Sequence, residues 1–242
     1  MHPFNQYLRS ISLKRDDVPS FEKYPFSIPA IRNLKHLDLH PKVTYLIGEN
    51  GTGKSTLLEA MAVAFGLNPE GGSRNFNFAT RESHSELHRY FSQVRGLWRP
   101  EDTFFLRAES FYNVATQVEQ LDVSGYGKRS LHEQSHGESF WTLLTVRFRG
   151  NGFYMLDEPE AALSPTRQMA AIRVIHDLVQ ANSQFVIATH SPIVMAYPES
   201  KIYQLSEDSI EEVKYEETEH FQITRAFLSS PESALKELLE GD

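Results

Sequence analysis

An α/β fold is predicted by two features of this chain. One is a strand, a glycine-rich loop and a helix in immediate succession around Gly48–Ser55. The other is a pair of short buried strands, Phe153–Leu156 and Gln184–Ala188, on either side of a long helix, Pro165–Ala181. With 242 residues, 40% of them apolar, there is core enough for one such domain with a small subdomain.

The elements follow in order. Tyr7–Lys14 alternates apolar and polar residues, as a half-buried strand does. Asp16–Pro29 holds Pro19, Pro25 and Pro29 among Phe21, Tyr24 and Phe26, and reads as a loop or irregular edge. Leu34–Leu39 is a second strand candidate. Val43–Ile47 is a β-rich apolar run, and Ser55–Phe65 is a helix former that stops at Gly66. Residues 66–102 are the least regular, with a helix expected over Ser85–Val94. Thr103–Arg107 predicts a strand, Ser110–Gly137 a polar stretch, and Ser139–Phe148 a helix. Lys201–Leu205 and Ile210–Tyr215 form a hairpin pattern, followed by helices over Thr218–Leu228 and Pro231–Leu239. A single domain is expected, with N-terminal strands, loop and first helix in 1–65 and an irregular or helical subdomain in 66–137. The rest of the core falls in 138–205, and an acidic hairpin strand with helices in 206–242.

Bulk composition narrows the class. No apolar run approaches the roughly 18 residues of a membrane helix, and the N-terminus lacks the apolar region of a secretory signal. Zero cysteines exclude disulfides and thiolate metal sites, and are compatible with a cytoplasmic location. The net charge of −8 sits in the tail, because Glu199 to the end carries 12 acids against 4 bases. The remainder is balanced, 20 against 20, with no basic stripe to mark a nucleic-acid footprint. His84 and His88 lie at i and i+4, but the order is not H-E-x-x-H and no third ligand accompanies them, so they read as a solvated face.

Gly48-Glu49-Asn50-Gly51-Thr52-Gly53-Lys54-Ser55 matches G-x-x-x-x-G-K-[ST], the loop that wraps a nucleoside triphosphate's phosphates. Glycines let backbone N–H groups converge on phosphate oxygens, and Lys54 adds a point charge at the β- and γ-phosphates. Ser55 offers a hydroxyl to Mg²⁺, and Thr56 continues the helix whose N-terminus faces the anion. The strand Phe153–Leu156 ends in Asp157-Glu158-Pro159. Two carboxylates at the end of a buried strand point to a cation and a reacting water, with Asp157 on the Mg²⁺ shell and Glu158 as general base. His190 closes the next buried strand, at the sheet edge where ligands dock, and is a candidate γ-phosphate contact.

In this order the motifs resemble those of the ABC-type ATPases. Gln134-Ser135-His136-Gly137-Glu138 looks like that family's signature loop, with Ser135, Gly137 and Glu138 on matching positions. Ala162-Leu163-Ser164-Pro165 resembles its D-loop, with Ser164 where Asp is usual. The resemblance runs from Val43 to Pro192. It implies a P-loop NTPase fold of ABC type with an N-terminal β-rich flank and a short helical signature subdomain. It also implies MgATP hydrolysis in a head-to-tail sandwich homodimer, Ser135, Gly137 and Glu138 of one copy capping the γ-phosphate held by the other. Glu109 is the nearest polar candidate for the family's Q-loop. Phe21, Tyr24 or Phe26 are candidates to stack on adenine.

Three uses of such an engine compete. The motifs favour a compact relative of the SMC, DNA-repair or bacterial defence ATPases, with nucleic acid or an effector protein as partner. A transporter's ATP-binding subunit is the second, though Phe111–Gln134 leaves only 24 residues for a membrane-docking subdomain. An ATP-gated, non-catalytic scaffold is the third, and Glu158 argues against it.

Overall fold

The computed structural model describes residues 6–72, 85–107 and 136–240, with His136 described by its backbone alone. Two sheets make its frame. Strands β5 (Asp102–Arg107), β6 (Gly152–Asp157), β7 (Gln184–Ala188), β3 (Val43–Gly48), β8 (Lys201–Leu205) and β9 (Ile210–Val213) lie side by side in that order. The first five are parallel and β9 is antiparallel to β8. A smaller antiparallel sheet sets β1 (Leu8–Leu13) between β2 (His36–Asp38) and β4 (Phe91–Arg95).

Every residue of β3, β6 and β7 is buried, the pattern of central strands covered on both faces. Alternate residues then serve two cores. Tyr45 and Ile47, Tyr154 and Leu156, Phe185 and Ile187 pack with helix α3 (His136–Thr142) and helix α4 (Pro165–Gln180). Leu46, Phe153, Met155 and Val186 face helix α2 (Lys54–Phe65) and the small sheet. A short helix α1 (Pro29–Asn33) precedes β2, and α5 (Glu219–Ser229) and α6 (Pro231–Glu240) follow β9. No described helix is long and apolar enough to cross a membrane.

The two sheets are joined by a buried amide. Gln184 Oε1 accepts from the N–H groups of Tyr7 and Leu8 at 2.9 and 3.0 Å, and its Nε2 donates to the carbonyls of Leu8 and His40 at 2.8 and 3.0 Å. All four bonds an amide can make are thus used. At the far edge α3 runs into a π-helical turn, Leu143–Arg147, whose Arg147 grips Asp102 of β5 with two bonds of 2.7 and 2.9 Å.

The helix expected over Ser85–Val94 does not form. Glu86–Tyr90 is a 3₁₀ turn, and Phe91–Arg95 is β4, paired with β1 from Leu8↔Arg95 to Leu13↔Phe91. An edge offered by a strand far away in sequence outweighs local propensity here. His88 accordingly sits in the 3₁₀ turn, while His84 lies outside the described residues.

Candidate nucleotide-binding and catalytic site

The phosphate loop is held open by backbone geometry. Gly48 and Gly53 have φ of 141° and 101°. A Cβ on Gly48 would collide with the Leu205 carbonyl, and one on Gly53 with Ile28. The loop is therefore wedged between the end of β8 and the approach to α1, and no side chain fits at either point. Gly53 caps α2 in the left-handed region, so the first helical N–H groups open onto the loop.

Lys54 is the first residue of α2 and is almost fully buried. Its Nζ donates to the carbonyls of Gly48 and Glu49, both at 2.9 Å. Burial pulls its pKa down, while Glu158 and Asp157 pull it up. Ser55 Oγ donates to Asp157 Oδ1 at 3.0 Å. Strand parity explains the meeting: Phe153 and Met155 face α2, and Asp157 follows them two residues on. Glu49, Asn50 and Gly51 are exposed on the loop, Thr52 is buried with its hydroxyl on the Glu49 carbonyl at 2.9 Å, and Thr56 is half-buried in the first turn of α2.

Glu158 breaks from the strand. Its φ and ψ of 48° and 54° are left-handed, unusual for a side-chain-bearing residue. Its N–H still donates to the Ala188 carbonyl at 2.9 Å, which keeps it registered with β7 while its carboxylate turns to the edge. There Glu158 Oε1 lies 3.6 Å from His190 Nε2. Burial and then Lys54 lower the His190 pKa, against the opposite pull of Glu158 and Glu49.

Residues that sequence reasoning did not single out hold the His190 loop. Glu160 Oε1 accepts from the N–H groups of His190 and Ser191 at 2.6 and 3.2 Å, and burial raises its pKa. Ser191 Oγ donates to Gln168 Oε1 at 2.7 Å, and Gln168 Nε2 reaches the Leu163 carbonyl at 2.9 Å. His220 of α5 lies 3.2 Å from His190, Nε2 to Nδ1. Glu160 stands within the same run as Asp157 and Glu158, which is a signal of a kind; nothing local marks His220.

The signature positions fall only partly within the described residues. Ser135 lies outside the described residues, as does Glu109. Gly137 and Glu138 open α3, Glu138 exposed. A Cβ on Gly137 would stand 2.6 Å from the Ala162 carbonyl, so the glycine lets α3 rest against the turn Pro159–Ala162 that follows Glu158. Ser164 caps α4 with Pro165 at its first position, a role that accounts for serine there. Of the aromatic candidates, Phe26 is buried against Tyr90, Phe21 lies under Arg15 and Tyr24 is exposed.

Ser55 and Asp157 present two hard oxygens in contact, a donor pair suited to Mg²⁺. A cleft of about 440 Å³ is lined by loop residues from Gly48 to Thr52, with Glu49, Glu207 and Glu219 in its wall. Three carboxylates are the wrong sign for a polyphosphate.

Two family models match the chain: "AAA domain" over residues 21–103, and "AAA domain, putative AbiEii toxin, Type IV TA system" over residues 77–196. A Geobacter sulfurreducens protein named "Putative ABC transporter ATP-binding protein" is 24% identical over 209 residues, which is 77% of this chain and 73% of that one. The chromosome partition protein Smc of Mycolicibacterium paratuberculosis is 31% identical over 121 residues, 47% of this chain and 10% of Smc. Among solved structures, "An inward-facing conformation of a putative metal-chelate type ABC transporter" superposes with a TM-score of 0.50 at 17% identity, over 91% of this chain and 88% of that one. That last likeness concerns the fold alone.

Proposed function

We propose that this chain, an ABC-type P-loop ATPase by fold and by motif order, binds and hydrolyses MgATP in a head-to-tail sandwich of two copies. One observation carries the reading. Lys54, the Ser55–Asp157 pair and the Glu158–His190 pair converge at one edge of the central sheet, from elements far apart in sequence.

Each group has a task. Lys54 leaves its two carbonyls for the β- and γ-phosphates, and N–H groups of the loop and of α2 take the remaining charge. Glu158 accepts a proton from the attacking water, as a half-exposed carboxylate at the strand end is able to do. His190 donates from Nε2 to the γ-phosphate. Ser55 and Asp157 would hold Mg²⁺, whose positive charge would offset the negative charge of the phosphate oxygens. Ser135, Gly137 and Glu138 of a second copy close the site from the other side.

We read the output as a nucleic-acid-related process, repair or defence, with nucleic acid or an effector protein as partner and the cytoplasm as location. The likeness to Smc and to a family described by a toxin system supports this use. The transporter-type name of the Geobacter relative supports the rival, an energising subunit of a permease. Phosphate release by the purified chain tests both levels. Turnover with MgATP is expected, with stimulation by DNA or RNA. Turnover indifferent to nucleic acid would move the assignment to the rival, and no turnover at all would remove the enzyme.

A further inference from the structure

The proposed mechanism uses one histidine, and the structure brings a second one to it. The approach to α5 is fastened onto the His190 loop. Tyr215 Oη donates to the Pro192 carbonyl at 2.8 Å, and the Tyr215 ring packs on Phe221 with centroids 4.7 Å apart. Thr218, fully buried, caps α5 by accepting from the Phe221 N–H at 3.3 Å. This anchoring places His220 Nε2 3.2 Å from His190 Nδ1, with ring centroids 5.4 Å apart. The other nitrogen of each ring, Nε2 of His190 and Nδ1 of His220, is buried and has no hydrogen-bond partner among the described residues.

One hydrogen lies between the rings, and it has two possible owners. If His190 owned it, the bare lone pair of His190 Nε2 would face the Glu158 carboxylate at 3.6 Å. His220 would then bury an N–H at Nδ1 with no acceptor. If His220 owns it, His190 Nε2 carries the hydrogen and turns it toward Glu158. The group that faces no partner is then only the acceptor lone pair of His220 Nδ1. The second arrangement avoids the repulsion and gives the one buried donor a carboxylate to face, at 3.6 Å. Burial lowers the pKa of both rings, with Lys54 adding to this at His190 and the His190 ring at His220. This acts against the pull of Glu158 and Glu49 on His190 and of Glu49 and Glu219 on His220, and favours the neutral form of each.

We propose that His220 is a positioning residue. By donating Nε2–H to His190 Nδ1, it holds His190 in the tautomer whose Nε2–H faces Glu158 and the γ-phosphate site. The tautomer is set by the hydrogen bond at the other nitrogen, as in other imidazole sites. Only the final step, donation to the γ-phosphate, rests on the ATPase reading.

Two measurements on the full chain decide it. The first is imidazole ¹⁵N NMR at about pH 8, above the ordinary imidazole range, with His190 assigned by the loss of its signals in His190→Gln. His190 should show a bare Nδ1 and a protonated Nε2, and His220→Ala should turn this into a mixture of tautomers. A protonated Nδ1 in the wild type, or a tautomer unchanged by His220→Ala, overturns the inference. The second is steady-state kinetics with MgATP. His220→Ala should lower kcat by about 10-fold or more, with KM within a fewfold. His220→Gln, whose amide N–H is able to donate to Nδ1, should recover most of the loss. Equal losses in both variants, or none in either, overturn the positioning role. A wild type that hydrolyses nothing would remove the ATPase reading and leave the NMR result to decide the hydrogen bond.

Discussion

Glu158 pays for its place with a left-handed backbone, a conformation that costs a non-glycine residue on the order of 1–3 kcal/mol. That strain turns the carboxylate to the site edge while its N–H stays bonded to Ala188. Replacing the carboxylate by an amide keeps shape and backbone but removes the proton acceptor. Glu158→Gln should therefore bind MgATP and lose about 10²–10⁴ in turnover. Calorimetry beside a phosphate-release assay checks the split, and near-wild-type turnover would reassign the base.

Lys54 is the complementary case. Its ammonium is buried and satisfied by two carbonyls, so the loop is already shaped around a cation before any phosphate arrives. Lys54→Ala removes that charge and leaves the Gly48 and Glu49 carbonyls facing the anion. Nucleotide affinity should fall by well over tenfold, together with turnover. Affinity retained within a fewfold, measured by calorimetry, would place the nucleotide elsewhere. At this scale, legibility in the sequence follows locality. Gly48–Ser55, Asp157–Glu158 and His190 are each marked by their immediate neighbours. Glu160 and His220 act on His190 across 30 residues each, and no pattern along the chain pairs them.

At the scale of elements, the parallel strands and their helices were legible because each segment carries its own signal. Buried runs end in polar residues, and Gly66 and Pro165 bound helices. β4 was not, since its identity depends on the edge that β1 offers it. The union of the two sheets was equally hidden, much of it in the buried amide of Gln184. Gln184→Leu is close in size but strands the N–H groups of Tyr7 and Leu8, with two carbonyls beside them. Each buried unmatched group costs about 1–3 kcal/mol, so a loss of roughly 3 kcal/mol or more is expected. For a domain of this size that corresponds to a fall in Tm of roughly 6–12 °C. Thermal unfolding followed by circular dichroism measures it, and a change under about 2 °C would mean that the small sheet docks without help from the Gln184 amide.

At the scale of the whole molecule, the question is whether the site completes itself. Lys54, Asp157, Glu158 and His190 gather on one edge, while Gly137 and Glu138 open a helix that rests on the turn after Glu158. In a two-fold pairing of such chains, each copy's signature loop would close the other's phosphate site, and the interface would be self-complementary. ATP would then be part of the interface, so dimerisation should depend on it. Glu158→Gln should hold the dimer by blocking hydrolysis. The release variant needs care in its choice. Substituting Gly137 would push a side chain into the Ala162 carbonyl of its own copy, 2.6 Å from any Cβ, and would disturb the site within one chain. Ser135→Arg, at the position aligned with the signature serine, sets a bulky side chain where the resemblance puts the other copy's γ-phosphate. Sedimentation velocity with MgATP, MgADP and no nucleotide should find Glu158→Gln dimeric with MgATP alone, and Glu158→Gln/Ser135→Arg monomeric throughout. A Glu158→Gln protein that stays monomeric with saturating MgATP would sink the sandwich. So would a dimer that forms regardless of nucleotide, because the γ-phosphate would then have no part in joining the two copies.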